Sequence, residues 1–239
     1  MEKNIRNIVK EELHSYLCSN VGTDFWGYNL NRLSWLKAGM ESVDFMIENL
    51  HDTYQSDNRL THLTYILSHV KNNGLFLEFG VGHNGESIKV ISENINDNIV
   101  YGFDTFRGLP EQWGNVLPKG AFYSSGKPPK LDSTNVVFVK GLFGDTLPSF
   151  VEEHKEDCAF LNIDCDLYSS TKTVFEHIGD RIKVGTVINF DEFFNYPGWQ
   201  KHEYKAWTEF AVQRNIKFEY LSFVPNDMCV AIMVAEIGN

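Results

Sequence analysis

KFEYLSFVPNDMCVAIMV, residues 217–234, decides the fold. It holds two apolar runs, 217–223 and 228–234, joined by only Val224, Pro225, Asn226 and Asp227. Four residues leave no room for a crossover helix, so the two runs are expected to pair antiparallel as a hairpin. Upstream the rhythm differs. Short apolar runs at LFLEF (75–79), IVYGF (99–103), NVVFVK (135–140), CAFLNID (158–164) and GTVINF (185–190) alternate with helical patterns near 85–95, 146–154, 169–180 and 202–214. That alternation is the mark of a mostly parallel sheet covered on both faces. The expectation is an α/β fold with a seven-stranded sheet that ends in an antiparallel hairpin.

Residues 1–73 read as helical. Ile5, Ile8, Val9 and Leu13 share one helical face, as do Leu33, Leu36, Met40, Val43 and Ile47, and then Leu60, Leu63, Ile66, Leu67 and Val70. The chain is therefore divided into an N-terminal helical extension or cap (1–73) and a cofactor-binding domain (74–239). The extension suits either a dimer surface or a cover for an acceptor, and a homodimer is the expected assembly.

The composition narrows the function. Hydrophobic residues make up 43% and aromatics 14% of the 239 residues, enough for a sizeable core and against disorder. The formal net charge of −11 comes with no basic stripe, so no nucleic-acid partner is expected. The four cysteines, Cys18, Cys158, Cys165 and Cys229, form no CxxC and read as buried free thiols. The opening MEKNIRNIVKEELHSYL has no apolar signal core, and the longest apolar run, 228–235, falls far short of the ~20 residues that span a bilayer. A soluble cytoplasmic protein without a membrane partner is expected.

The first strand runs into LEFGVGHNGES (77–87), where Gly80, Gly82 and Gly85 form a G-x-G-x-x-G between strand and helix. Such glycines allow a tight turn and close backbone approach to a ligand. The next strand ends at Asp104, placed to accept the hydroxyls of a ribose, or more plainly to form a turn. Glu78 at the strand's end would repel a dinucleotide's pyrophosphate and favour a cationic cofactor. S-adenosylmethionine, with its sulfonium and ammonium groups, fits; a plainer reading of Glu78 is a salt bridge. Tyr168 and Lys172 match the Y-x-x-x-K pair of short-chain dehydrogenases, but the T-G-x-x-x-G-x-G glycine pattern of those enzymes is missing, so they read as packing and solvated helix surface.

AFLNIDCDLYSSTK (159–172) carries Asp164 and Asp166 at the end of one strand, and GTVINF leads into Asp191 and Glu192 at the end of the next. In open α/β sheets ligands sit at the carboxyl ends of the strands. Four acids gathered there need a cation, and all-oxygen donors suit a hard divalent ion such as Mg²⁺. The expected ligands are Asp164, Asp191 and Glu192, with Asp166 as general base for methyl transfer to a hydroxyl. Plainer roles remain open: Asp166 as a helix cap, and Asp191 and Glu192 paired with Lys201 or Lys205. The segment from Thr105 to Thr134, rich in glycine and proline, is a lid candidate. Trp113, Tyr196 and Trp199 read as acceptor-pocket walls or as packing, and His202 as a helix-surface histidine or an aid to proton transfer.

Taken together, LEFGVGHNGES, YGFDTFRGLPEQW, KGAF, VKGLFGDTLPSF, FLNIDCDLYSSTKT and INFDEFFNYPGW resemble the macrocin O-methyltransferase family over about residues 75–235. The resemblance implies a class I methyltransferase (Rossmann-like) fold, S-adenosylmethionine, Mg²⁺ and O-methylation. It also implies that the first Asp of D-x-D-x-Y, Asp164, ligates the metal and the second, Asp166, is the base. Gly80, Gly82 and Asp104 correspond to its cofactor loop and ribose acid, and Phe143 and Asp145 to its adenine side. The family carries Asp-Asp where this chain has Asp191-Glu192. A sugar hydroxyl is the first acceptor class implied, a phenol or catechol the second.

Overall fold

In the computed structural model, residue 11 and residues 29–95 and 97–238 are described. The expected face of Ile5, Ile8, Val9 and Leu13, and Cys18, lie outside them. Helix α1 (Leu30–Asn49) opens the described chain, followed by strand β1 (Tyr54–Gln55) and α2 (Arg59–Ser68). The alternating core then runs β2 (Leu75–Phe79), α3 (Glu86–Asn94), β3 (Val100–Asp104), β4 (Val136–Lys140), α4 (Phe143–Glu153), β5 (Cys158–Ile163), α5 (Tyr168–Ile178), β6 (Val187–Phe190), α6 (Glu203–Gln213), β7 (Ile216–Phe223) and β8 (Val230–Ile237).

These strands form one sheet in the order β1-β7-β8-β6-β5-β2-β3-β4. β8 runs antiparallel to both β6 and β7, and every other pairing is parallel. The hairpin and the seven expected strands are present. The eighth, β1, is a two-residue edge strand beside β7 that carries no alternation to reveal it.

Strand periodicity sorts the core into two faces. Leu75, Leu77 and Phe79 of β2 join Phe103, Leu161, Ile163, Ile188 and Phe190 in one buried cluster with α4, α5 and α6. On the other face, Phe76, Val100, Phe160 and Val187 pack with Leu63, Ile66 and Leu67 of α2 and with Ile88 and Ile91 of α3.

That second face also carries a polar ladder. Glu78, Asn162 and Asn189 are register partners on β2, β5 and β6. Asn189 Nδ2 donates to Asn162 Oδ1 at 2.7 Å, and Asn162 Nδ2 donates to Glu78 Oε1 at 2.9 Å. Beyond Asn189 the next register position is Ala231, and beyond that Ser222. The small alanine leaves room for the fully buried His62 of α2. Its Nε2 lies 2.8 Å from Asn189 Oδ1 and its Nδ1 lies 2.9 Å from Ser222 Oγ. Because an amide oxygen only accepts, Nε2 carries the proton, and burial holds the imidazole neutral with its pKa lowered to about 4.

The Thr105–Thr134 segment contributes no helix or strand but is not loose: Phe106, Leu109 and Trp113 are buried, and the backbones of Trp113 and Leu117 pair. Cys158, Cys165 and Cys229 are buried free thiols. Among the described residues, no helix is long and apolar enough to cross a membrane.

Candidate active site

A cavity of about 1040 Å³ opens at the carboxyl ends of the parallel strands. One wall is the turn after β2 with Asp104, and the next is the start of α4 with Phe143 and Asp145. The floor holds Asp164, Asp166, Asp191 and Glu192. Leu109, Pro110, Trp113 and Val116 of the long loop, together with Asn58 and Arg59, enclose the rest.

Gly80 shows why the turn needs glycine. Its φ is +93°, and a Cβ there would stand 1.6 Å from the Asp164 carbonyl oxygen. The cofactor loop and the acid loop are thus in backbone contact, held by Asp164 N–H donating to Phe79 O at 2.9 Å. Gly82, at φ +67°, has nothing within 4 Å of its missing Cβ. Asp104 shapes this turn directly. Its Oδ2 accepts from the N–H groups of Val81 (3.0 Å) and Gly82 (2.9 Å), and its Oδ1 accepts from Phe106 N–H (2.7 Å). The turn-forming role and a place on the cavity wall therefore coexist in one carboxylate.

Asp164, Asp191 and Glu192 each offer an oxygen within 4.8 Å of the others. Two neighbouring strands deliver them, because Asp191 N–H continues the β5–β6 ladder by donating to Ile163 O at 2.8 Å. Asp166 adopts φ +63°, a left-handed conformation that Asp tolerates better than most residues. Its side chain does not cap α5, whose N-cap is Leu167 and has no side-chain cap bond.

Two residues that sequence reasoning missed organise this floor. Glu203, fully buried in the first turn of α6, accepts from Cys165 N–H (3.2 Å) and Asp166 N–H (3.1 Å) on Oε1, and from Glu192 N–H (3.2 Å) on Oε2. One carboxylate therefore ties both acid-bearing loops together. Arg59 supplies the basic partner, in place of Lys201 or Lys205. Its guanidinium lies 2.5 Å from Asp191 Oδ2 and 3.8 Å from Glu192 Oε1, and it forks onto Asp227 at 2.9 and 3.1 Å.

Burial and mutual repulsion dominate the electrostatics. Asp164 and Glu192 are pushed well above the usual carboxylate range, first by burial and then by Asp191 and Asp166. Glu203 is raised by burial and then by Asp166. Asp191 is also raised by burial, while Arg59 pulls it back. Asp166 reaches about 7, through burial and Asp191. Glu192 Oε2 is buried with no hydrogen-bond partner. Buried acids packed this way call for positive charge.

The remaining expected residues sort by position. Gly80, Gly82, Asp104, Phe143 and Asp145 border the cavity, Phe143 packing edge-on against Phe79 at 5.4 Å. Glu78 does not reach it. Strand alternation turns Glu78 under the loop, where it is wholly buried and accepts from Ser87 Oγ and Asn162, with its other oxygen unpartnered; burial raises its pKa to about 8. Trp113 lines the cavity, whereas Tyr196 and Trp199 pack in the core behind it. His202 is half-buried beside Trp113 and Tyr196, at ring distances of 6.3 and 6.2 Å. Tyr168 and Lys172 sit on the α5 surface, bonded to Glu209 and Glu176.

Residues 119–224 match the family model of macrocin-O-methyltransferase (TylF). Over these residues, somewhat under half of the chain, the sequence is similar to that family. The protein is accordingly an O-methyltransferase. The matched span holds Asp164, Asp166, Asp191, Glu192 and Glu203, while the glycine turn and Asp104 precede it. Among solved structures, the O-methyltransferase NovP is similar with a TM-score of 0.57 at 21% identity, over 74% of this chain and 80% of that one. The calicheamicin methyltransferase CalS11 gives a TM-score of 0.56 at 20% identity, over 93% and 90% of the two chains. An O-methyltransferase from Bacillus cereus, solved in complex with SAH, gives 0.50 at 15% identity over 93% and 96%. These likenesses establish the class I methyltransferase fold. No curated protein matches the sequence.

Proposed function

We propose that the protein is an S-adenosylmethionine- and Mg²⁺-dependent O-methyltransferase, acting in the cytoplasm on a hydroxyl of a small molecule. The first acceptor class is a sugar or glycosylated natural product, and a phenol or catechol is the second. One observation carries the reading. Asp164, Asp191 and Glu192 converge within 4.8 Å on the floor of the same cavity that the glycine turn and Asp104 border. The name of the similar calicheamicin enzyme CalS11, a TDP-rhamnose 3'-O-methyltransferase, favours the sugar class.

The residues fit a divalent ion: the donors are all carboxylate oxygens, and the buried Glu192 Oε2 lacks any other partner. Asp164, Asp191 and Glu192 would hold it, and its charge would lower the pKa of an acceptor hydroxyl and orient it. Asp166, on the same floor, takes the hydroxyl proton. Asp104 and the glycine turn, whose Val81 and Gly82 N–H groups it already binds, form the wall that would take the nucleoside end of the methyl donor. Leu109, Trp113 and Val116 exclude water from the reacting groups.

The test is a screen of sugar, glycoside and phenolic acceptors with methyl-labelled S-adenosylmethionine, run with Mg²⁺ and with EDTA. Label transfer is expected only with the ion, and Asp164→Ala or Asp191→Ala should abolish it. Full turnover in EDTA would remove the metal from the reaction.

A further inference from the structure

We propose that Arg59 is a resident counter-cation of the acidic floor, which competes with the divalent ion for Asp191 and so sets the protein's affinity for that ion. The proposal rests on the metal reading above. Its own basis is the placement of the guanidinium. Arg59 stands 2.5 Å from the Asp191 oxygen Oδ2, and 3.8 Å from Glu192, while lining the cavity with its side chain 42% exposed. An arginine placed only to lock two segments together has no need to face the site. Here it covers two of the three carboxylates that would hold the ion.

The arm is built to stay when the ion arrives. Asp227, in the β7–β8 turn, receives Nε and a terminal nitrogen in a two-pronged bond at 2.9 and 3.1 Å. Asp227 is not one of the three clustered carboxylates, so the guanidinium keeps this anchor when Asp191 is taken. The backbone behind the arm is fixed as well. Asn58 caps α2, its Oδ1 accepting from Leu60 N–H and Thr61 N–H at 3.0 and 3.1 Å, and His62 ties the helix to the polar ladder. Only the side chain is left to move. A guanidinium is charged at every accessible pH, so it can hold the carboxylates together when no ion is present. It also repels an incoming cation across a short, poorly screened distance. Removing it is expected to destabilise the ion-free protein and to tighten metal binding.

The experiment titrates Mn²⁺, followed by electron paramagnetic resonance of the free ion, into wild type, Arg59→Met and Arg59→Lys without cofactor or acceptor. Thermal unfolding is measured in parallel with and without Mn²⁺. Arg59→Met should bind at least tenfold more tightly than wild type, melt lower without the ion, and gain more from its addition. Arg59→Lys keeps the charge and should stay within a few-fold of wild type. Arg59→Met binding Mn²⁺ no more tightly than wild type, while wild type binds it, overturns the role of Arg59 alone. Absence of binding in wild type and both variants overturns the metal reading, and this proposal with it. Should Arg59→Met not fold without the ion, Arg59→Gln takes its place under the same criterion.

Discussion

The backbone N–H of Asp166 donates to Oε1 of Glu203 at 3.1 Å, and this bond holds the expected base in its left-handed conformation. The same carboxylate takes the N–H groups of Cys165 and Glu192. Glu203→Gln keeps one accepting oxygen but turns an amide donor toward a backbone donor. Metal affinity and kcat are expected to fall at least tenfold, while S-adenosylmethionine affinity changes less than twofold, because Glu203 makes no bond to the glycine turn. Calorimetry with each ligand checks this. Equal loss of both ligands would reduce Glu203 to a general folding element.

Asp166 should govern the pH profile. Its carboxyl is held near 7 by burial and Asp191, so it is protonated at lower pH and cannot accept the acceptor's proton. Turnover is expected to rise with pH and level off above about 7, with the midpoint moving lower once a cation is bound nearby. Asp166→Asn should lower kcat by ~10²–10⁴-fold, the usual worth of a general base, and leave Mn²⁺ affinity within a few-fold. A rising limb that survives unchanged in Asp166→Asn would belong to another group.

Asp104 is expected to matter for cofactor binding through the turn it builds. Asp104→Ala strips the acceptor from three N–H groups, at a cost of ~1–3 kcal/mol for each that stays unsatisfied. S-adenosylmethionine affinity should drop at least tenfold, read by calorimetry, with the circular dichroism spectrum retained. Unchanged affinity would leave Asp104 as a turn residue only.

Glu78 makes a prediction about stability rather than activity. Its folded pKa of about 8 lies above the unfolded value of 4.5, so between those pH values the folded state binds the extra proton. Stability from this group is complete below about 4.5 and is lost as pH rises toward 8, by up to ~1.4 kcal/mol per pH unit. Glu78→Gln keeps an oxygen for Ser87 and Asn162 and should flatten that slope in urea titrations across pH 5–8. An identical slope in the variant would place the titration elsewhere.

The parts of this structure that read directly from the sequence are those written locally. The strands, the short hairpin connection, the glycine turn and the acids at strand ends all lie within a few residues of their own signal. LFLEF even contained the information that Glu78 shares a face with Phe76 rather than pointing at the ligand, through its period of two. Arg59 and Glu203 were not legible for a different reason. Arg59 meets Asp227 from 168 residues away, and Glu203 reaches amides 37 and 38 residues upstream. No spacing rule links such pairs; only the closed sheet brings them together.

The ladder from His62 to Glu78 bears on how the chain reaches this state. Ser222 and Asn189 lie 160 and 127 residues beyond His62, and Asn162 lies 84 beyond Glu78. None of these bonds can close while only the first half of the polypeptide has been synthesised. Until β5, β6 and β7 arrive, Glu78 lacks Asn162 and His62 lacks both of its partners, so the footing of the glycine turn is completed late. Such distant pairings slow folding. Maturation of the methyl-donor pocket is therefore expected to wait on the ribosome's release of the C-terminal third of the protein.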